Sequence, residues 1–265
     1  MATKTGVYIS YKKDKSIYYR ASITYKSKHI SLGSFNTEAK ANKAYNDARN
    51  VLDNPSIGID DFEALKILSH DKFICLLNFR DNGIYFSTPI YLYKYYFEYY
   101  LSQHQILKFD KDDLFFYASH KIQTKGGYLF VSDYGSQYKI LSRYGIKPFA
   151  VYERDFVMVN GDKNDMRYSN IKILNNYVGV LEKAENDGAK TTYTVVIHQK
   201  SNFIVGHYDD EITAAIAYNK AVDTLHANGF KNNYTKNYIV SINKDQYLSI
   251  YNAVKISDKI SKLMP

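Results

Sequence analysis

One pattern occurs twice in this chain, and the two copies begin 173 residues apart. Residues 32–52 read LGSFNTEAKANKAYNDARNVL, and residues 205–225 read VGHYDDEITAAIAYNKAVDTL. The tripeptide Ala-Tyr-Asn stands at the same place in both stretches. An internal repeat indicates that one structural unit is used more than once, so it limits the possible folds more than any other feature.

Each copy predicts a three-stranded antiparallel sheet followed by one helix. In the first copy, the runs GVYISY, SIYYRASITY and KHISLGSF are rich in β-branched and aromatic residues and are separated by charged, turn-like stretches. Thr37 is the expected helix N-cap, and Asp210 takes the same position in the second copy. Alanines then recur at helical spacing. Because small alanines let a helix lie close against a sheet, one face of each sheet is expected to be covered and the other open.

Strand alternation assigns the residues of the first sheet to its two faces. The apolar set expected to pack on the helix is Val7, Tyr19, Ala21, Ile23, Ile30 and Leu32. The open face and its basic rim comprise Tyr8, Ser10, Lys12, Lys13, Tyr18, Arg20, Ser22, Thr24, Lys28, His29 and Ser31. This polar and basic surface suits phosphates at its edges and base edges in its middle, while an ordinary solvated face is the alternative.

The charge distribution favours the first copy as the binding module. The whole chain has a net charge of +8 and a pI of about 9.1, which indicates an anionic partner. Residues 4–54 hold ten Lys or Arg against four Asp or Glu, whereas residues 177–228 hold four against seven. This concentration of positive charge makes double-stranded DNA the preferred partner of the first module.

The second copy presents a nearly uncharged open face. Alternation places Val196 and Ile204 there, where thymine methyl groups could contact them. The residues of this face that we interpret as candidate DNA contacts are Lys183, Thr192, Thr194 and His198. A protein interface, or packing on the central region, remains an open alternative for this module.

The residues of both copies resemble the AP2/ERF DNA-binding domain. The matching stretches are GVY…YYRASI…ISLGSFNTEAKANKAYNDA and YVGV…TYTVVI…FIVGHYDDEITAAIAYNKA, which together cover roughly 100 of the 265 residues. The resemblance implies that the three-stranded sheet lies in the DNA major groove. The positions it implies as contacts are Tyr8, Ser10, Arg20, Thr24, His29 and Ser31. Plant members carry Arg and Trp at several of these positions where this chain mostly does not, so their target sequence is not transferred.

Between the copies, residues 152–176 (YERDFVMVNGDKNDMRYSNIKILNN) resemble the core of HNH homing endonucleases. The family's His, a general base for a metal-bound water, falls on Met158, and its neighbouring acid position falls on Val157. Thioether and alkyl groups cannot take a proton or hold a hard cation. The resemblance therefore implies a scaffold without catalytic groups, metal or cofactor. The alternative interpretation of NGDKND is a simple turn.

The predicted fold class is α+β, with two AP2-like modules that flank a central α+β region. The expected segments are the first module at residues 1–54, the central region at 55–135, the HNH-like segment at 136–176, the second module at 177–230 and a helical tail at 231–265. Within the central region, SHDKFICLLNFRDNGIYFS predicts a hairpin that turns at Asn82-Gly83, and YLYKYYFEYYLSQHQ predicts an aromatic helix. GGYLFVSDYGSQYKILSRYGI predicts a second hairpin, FDKDDLFF predicts acids that open a helix, and KDQYLSIYNAVKISDKISKLMP predicts one amphipathic helix.

The function expected from these patterns is sequence-specific binding of double-stranded DNA without catalysis, as a regulator or a domesticated relative of homing endonucleases. The alternatives are a divergent HNH-type endonuclease and a protein-interaction module that inhibits or bridges another factor. A protein partner is expected to bind through the second copy or the C-terminal helix. The single Cys75, the lysine-interrupted residues 1–30 and the absence of an 18-residue apolar run predict a cytoplasmic protein without a membrane partner. In a bacterium or phage we expect it at the nucleoid.

Overall fold

The computed structural model describes residues 5–65, 67–184 and 191–265. The chain divides into two compact units, one of residues 1–140 with 162–170, and one of residues 141–161 with 171–265. Each unit is built from helices and small antiparallel sheets of two or three strands, so the predicted α+β class is confirmed. Within the described part of the chain, no helix is both long enough and apolar enough to cross a membrane.

The N-terminal module is the predicted sheet with one helix across it. Its elements are β1 (Val7–Tyr11), β2 (Ile17–Tyr25), β3 (Lys28–Phe35) and α1 (Glu38–Asp53). The strands pair antiparallel in the order β1-β2-β3. Thr37 caps α1, since its hydroxyl accepts the backbone N–H of Lys40 over 3.3 Å. Ala41, Ala44 and Ala48 are fully buried between helix and sheet, as the alanine spacing predicts.

The segment after this module is helical, and the predicted hairpin at Asn82-Gly83 is wrong. Helix α2 (His70–Asn82) begins at the Ser69 N-cap and ends at Gly83, which has a φ of 73° and donates its N–H to the Phe79 carbonyl. The seven consecutive residues 73–79 are all buried. A helix buried on every side has no 3.6-residue hydrophobic period, so its sequence has no amphipathic signature.

The aromatic stretch that follows forms strands, so the predicted aromatic helix is also wrong. The strands are β4 (Ile90–Leu92), β5 (Tyr96–Tyr100) and β6 (Ile106–Asp110), and they pair in that order. Phe97 and Tyr99 are buried while Tyr96 and Glu98 are half-buried, which is a period of two. The aromatic composition conceals this period, because four of the five residues of β5 are aromatic.

The next elements agree with the sequence more closely. Asp112 and Asp113 lie in a single 3-10 turn that leads into α3 (Leu114–Ser119), as expected of acids at a helix start. The next sheet consists of β7 (Ile122–Lys125), β8 (Tyr128–Asp133) and β9 (Ser136–Lys139). Its strands β8 and β9 form the predicted second hairpin, which is thus confirmed. In the C-terminal unit, β10 (Phe156–Met158) pairs antiparallel with β11 (Ile171–Ile173).

The second module repeats the architecture of the first. Its elements are β12 (Val180–Ala184), β13 (Thr191–Gln199), β14 (Ser201–Tyr208) and α4 (Glu211–Ala227). Asp210 caps α4 by accepting the N–H of Thr213 over 2.7 Å, as predicted. A β-bulge falls at the same place in both sheets, between Ala21 and Ser22 and between Val195 and Val196. The repeat is therefore a shared fold down to its irregularities.

Matching residues of the middle strands β2 and β13 are one position further apart in sequence than those of the outer strands, and the second turn of each sheet removes this offset. In the first module, Lys26 and Ser27 form the turn, both with positive φ, and Tyr25 pairs with Lys28. In the second module Lys200 alone connects the paired residues Gln199 and Ser201. The second turn is one residue shorter, so the strands keep their register although the spacing in sequence changes.

The C-terminal tail forms two helices rather than the single amphipathic helix that was predicted. Helix α5 (Lys244–Ala253) starts with a capping box at Asn243, and α6 (Asp258–Ser261) follows after a short extended connection. Val254, at the break, is buried against the second module, so the chain leaves the helix in order to bury this side chain. The tail packs on the second module: Val254 belongs to that module's core, and four partly buried side chains lie against it, namely Tyr247, Ile250, Tyr251 and Leu263.

In each of the two modules, a glycine before the first strand allows the helix to pack closely against the sheet. Gly6 (φ 73°) and Gly179 (φ 68°) lie under the helix tyrosines Tyr45 and Tyr218, which a Cβ at either glycine would hit. The Gly6 carbonyl accepts the N–H of Ser22 over 3.0 Å, and the Gly179 carbonyl accepts the N–H of Val196 over 2.7 Å. Close approach and positive φ both require glycine here.

We expect Gly6→Ala to destabilise the N-terminal unit more than Gly83→Ala. Gly83 has the same φ of 73°, but a Cβ there meets nothing within 4 Å in the described structure. The Gly83→Ala variant therefore measures only the backbone cost of a non-glycine residue at positive φ, which is about 1 kcal/mol. The clash at Gly6 should add about 1–3 kcal/mol to that loss. Urea unfolding of both variants measures the difference, and equal losses would contradict the tight glycine–tyrosine packing.

Candidate nucleic-acid interface

The face of the first sheet that α1 leaves uncovered is the candidate interface. Arg20 lies on the central strand with Tyr8 opposite it on β1 and Ser34 opposite it on β3. Its side chain is exposed, and a depression of about 410 Å³ opens beside it. The side chains of the open-face set that line this depression are Tyr8, Ser10, Arg20, Ser22, His29 and Ser31. The structure thus brings together six of the predicted contact residues.

A bulge interrupts this sheet at two residues that line the depression. Leu32 is the extra residue, because Ala21 pairs with Gly33 while Ser22 pairs with Ser31. Ser22 is only 8% exposed and lies at the floor, so it is less accessible than its neighbours. Thr24 and His29 pair across the next rung, with Oγ1 and Nδ1 3.4 Å apart.

Charges in this module are divided between the sheet side and the helix side. The strands and turns of residues 5–36 carry six Lys or Arg and one Asp, whereas residues 37–54 carry three of each sign. On the helix, Lys43 pairs with Asp47 at 3.1 Å and Arg49 with Asp53 at 2.8 Å. Asp47 and Asp53 therefore pair with cations of the same helix, and the positive charge of the module is concentrated on the sheet side.

The lysines at the rim have two different surroundings. Lys12 and Lys13 lie where β1 turns into β2, and both are exposed. Asp14 in the same turn accepts hydrogen bonds from the Ser16 hydroxyl and N–H, which lower the pKa of the Asp14 carboxyl and keep it ionised. At the opposite end of the sheet, Lys28 lies over the Tyr85 ring, with Nζ 5.8 Å from the centroid. Lys12 and Lys13 are thus exposed in a turn, whereas Lys28 lies against an aromatic ring.

Several exposed apolar side chains beside this face were missed by the sequence reasoning. Tyr11 is 67% exposed and Ile17 is 52% exposed, although alternation assigns both to the helix side. They form a cross-strand pair at the end of β1 and β2. With Tyr18 they line a second shallow depression of about 490 Å³. Their exposure depends on how far α1 extends across the sheet, and the sequence of a strand contains no signal for this distance.

The second sheet places its predicted contact residues less favourably. Thr194, which matches Arg20, is 4% exposed, and its hydroxyl lies 3.1 Å from Nδ1 of His207. His198 is exposed and its Nδ1 lies 2.9 Å from the Asn202 side-chain oxygen. Lys183 is exposed and Thr192 is half-buried. This sheet therefore has no cation at its centre that corresponds to Arg20.

The HNH-like segment has apolar side chains at the two positions where the resemblance implies a general base and a neighbouring acid. Met158 is buried on β10 and Val157 beside it is half-buried. Asp165, in the loop that follows, pairs with Arg167 through two contacts of 2.6 and 2.8 Å. Among the described residues, no group of three or more His, Cys, Asp or Glu is placed to hold a metal ion.

Comparison with protein-family models, with curated proteins and with solved structures finds no significant match. The interpretation of this interface accordingly depends on its own geometry and charge.

The single cysteine is not among the residues of this interface, and its thiol is buried and unreactive. Cys75 is buried in α2, and its Sγ lies 3.3 Å from the Thr88 carbonyl oxygen. Burial raises the pKa of the Cys75 thiol to about 12, so the nucleophilic thiolate is not populated near neutral pH. The thiol behaves as a small core residue.

We therefore expect Cys75 to resist a thiol-specific reagent at pH 8 in the native protein. A raised pKa keeps the group protonated through this pH, and burial blocks access as well. The same reagent in denaturant should label one thiol per chain. Rapid labelling of the native protein, followed by absorbance, would contradict the buried position.

Proposed function

We propose that this protein binds double-stranded DNA by placing the open face of the first sheet in the major groove. The observation that supports this most directly is the position of Arg20, which is exposed at the centre of the sheet. The strands and turns of this sheet, residues 5–36, carry six cations and one acid. A concave polar surface with a basic rim is complementary to base edges bordered by phosphates. The resemblance of both modules to AP2/ERF domains supports the same mode of binding.

The dimensions of the sheet are compatible with this placement. Three strands spaced about 4.8 Å apart give a backbone width of about 10 Å. The major groove of B-DNA is about 12 Å wide and about 8.5 Å deep, which admits a narrow β-sheet presented by its face or edge. The central strand β2 then lies deepest, and the turn that carries Lys12 and Lys13 lies nearest the phosphates.

Arg20 is the side chain best suited to read a base. A guanidinium group can donate two hydrogen bonds to O6 and N7 of guanine, which is the commonest specific contact in the major groove. Tyr8, His29 and Ser31 surround it and offer further donors and acceptors. The lysines at the rim supply the sequence-independent attraction, because each acts as a point charge on a phosphate.

The protein proposed here binds without cutting, as a regulator or as a domesticated relative of homing endonucleases. Buried Met158 supports this view, since a thioether cannot act as a general base. Arg154 pairs with Asp155 at 2.6 Å, and Arg167 pairs with Asp165 at the same distance. These pairs suit a segment kept for its shape better than one whose charged groups must reach a scissile phosphate.

Replacing Arg20 should weaken binding to a selected duplex by about 1–3 kcal/mol and relax specificity at one base pair. Arg49→Ala is the matched control, because Arg49 has the same charge and lies in the same module but pairs with Asp53 on the helix side. The duplex is first selected from a random library, and affinity is measured by fluorescence anisotropy. Thr194→Ala should have little effect on affinity, since Thr194 is buried.

Equal losses from Arg20→Ala and Arg49→Ala would indicate that only net charge matters, and the proposed orientation of the sheet would then be wrong. A wild-type protein that selects no duplex from the library would contradict the function itself. In that case the alternative of a protein-interaction module becomes the better interpretation.

Incubation of the purified protein with supercoiled plasmid and Mg²⁺ or Mn²⁺ should produce no nicked circles above background. The reason is the replacement of the general base and metal-ligand positions by Met158 and Val157. Gel electrophoresis measures the nicking. Metal-dependent nicking by the wild type that disappears in Asp162→Ala would show that the chain is an endonuclease after all.

A further inference from the structure

The C-terminal tail runs along the outer strand of the second sheet. The backbone N–H of Ser257 donates to the Val205 carbonyl on β14 over 2.7 Å, and the Tyr208 hydroxyl donates to the Lys255 carbonyl over 2.7 Å. Ile260, at the other end of this contact, is fully buried. The Asn228 side chain donates to the carbonyls of Ser261 and Leu263 over 3.1 and 2.9 Å. This segment is therefore held firmly at the sheet edge through backbone groups.

A depression of about 580 Å³ lies between β14 and the tail. The sheet contributes Asn202, Ile204 and His207 to its lining, and the tail contributes Lys255 and Lys259. Both lysines are exposed, and the described residues that line the depression include no Asp or Glu. Asp258 lies between the lysines in sequence but does not line the depression. A positively charged hollow thus borders a sheet whose own face is nearly uncharged.

Both lysines flank the residue that ties the tail to the sheet. Ser257 bonds to β14, and Lys255 and Lys259 stand two residues before and two residues after it. The bonds to Val205 and Tyr208 position the backbone of the tail beside the depression that both lysines line. On the sheet side, the contact between Thr194 Oγ1 and His207 Nδ1 orients the imidazole ring.

We propose that Lys255 and Lys259 form a second contact with the DNA backbone, in which the tail supplies the cations that the second sheet lacks. This inference rests on the proposed function, because it assigns phosphates of the same duplex to this hollow. Residues 229–265 hold six Lys or Arg against two Asp or Glu, opposite in sign to the module on which they pack. Each lysine neutralises one phosphate and releases condensed counterions, so the contact contributes affinity without sequence preference.

The test is a salt titration of affinity for the selected duplex with the double variant Lys255→Ala/Lys259→Ala in the full chain. The slope of log affinity against log salt should fall by about 1.8, since each phosphate contact contributes about 0.9. The matched control is Lys231→Ala/Lys244→Ala, which removes the same charge from exposed lysines of the same unit that do not line the hollow. The control should leave the slope nearly unchanged. Lys255→Arg/Lys259→Arg should keep the wild-type slope, because it retains both charges.

Equal falls in slope for the double variant and its control would overturn the inference, because they would report net charge alone. No change in the double variant would also overturn it, while a persistent loss of affinity in Arg20→Ala would leave the proposed function standing. If the wild type binds no duplex, both the proposed function and this inference fail. A thermal unfolding curve for each variant confirms that the tail stays in place, and Lys255→Gln/Lys259→Gln repeats the test if the alanine variant is unstable.

Discussion

The packing of one helix against one face of a three-stranded sheet is the interaction on which the rest of this structure depends. In both modules the helix presents alanines that are fully buried, so helix and sheet approach closely without large side chains between them. The glycine before the first strand allows the helix tyrosine to complete the contact. A single helix covers only one face, and the uncovered face is therefore available to a partner in each copy.

The two copies differ in how that available face is charged. The first sheet carries Arg20 at its centre and lysines at its rim, while Asp47 and Asp53 pair with cations on the helix. The second sheet carries a buried threonine where the first has Arg20, and the C-terminal tail places two lysines at its edge. A common backbone thus supports two electrostatic arrangements, because charge is set by side chains that the packing between helix and sheet does not constrain.

Buried side chains and polar contacts stabilise the segment between the two modules. Met158 and Met166 are buried, and the loop between β10 and β11 is held by the pair of Asp165 with Arg167 and by the Asn170 side chain, which donates to the Asp165 carbonyl over 2.8 Å. Buried thioethers stabilise such a loop by packing, since Met adapts its shape to irregular space.

The sequence by itself determined the repeated unit, its helix caps at Thr37 and Asp210, and the alternation that puts Arg20 and its neighbours on the open face. These features are local, because capping and alternation depend on residues close in the chain. The tertiary structure decided those features that depend on contacts between segments distant in sequence. Residues 73–79 form a helix without a period because they are buried on all sides, and the aromatic run of β5 is a strand because its partners select a period of two. Likewise the tail breaks at Val254 and bonds to β14, since burial of that side chain and pairing of a free strand edge are contacts between segments distant in sequence.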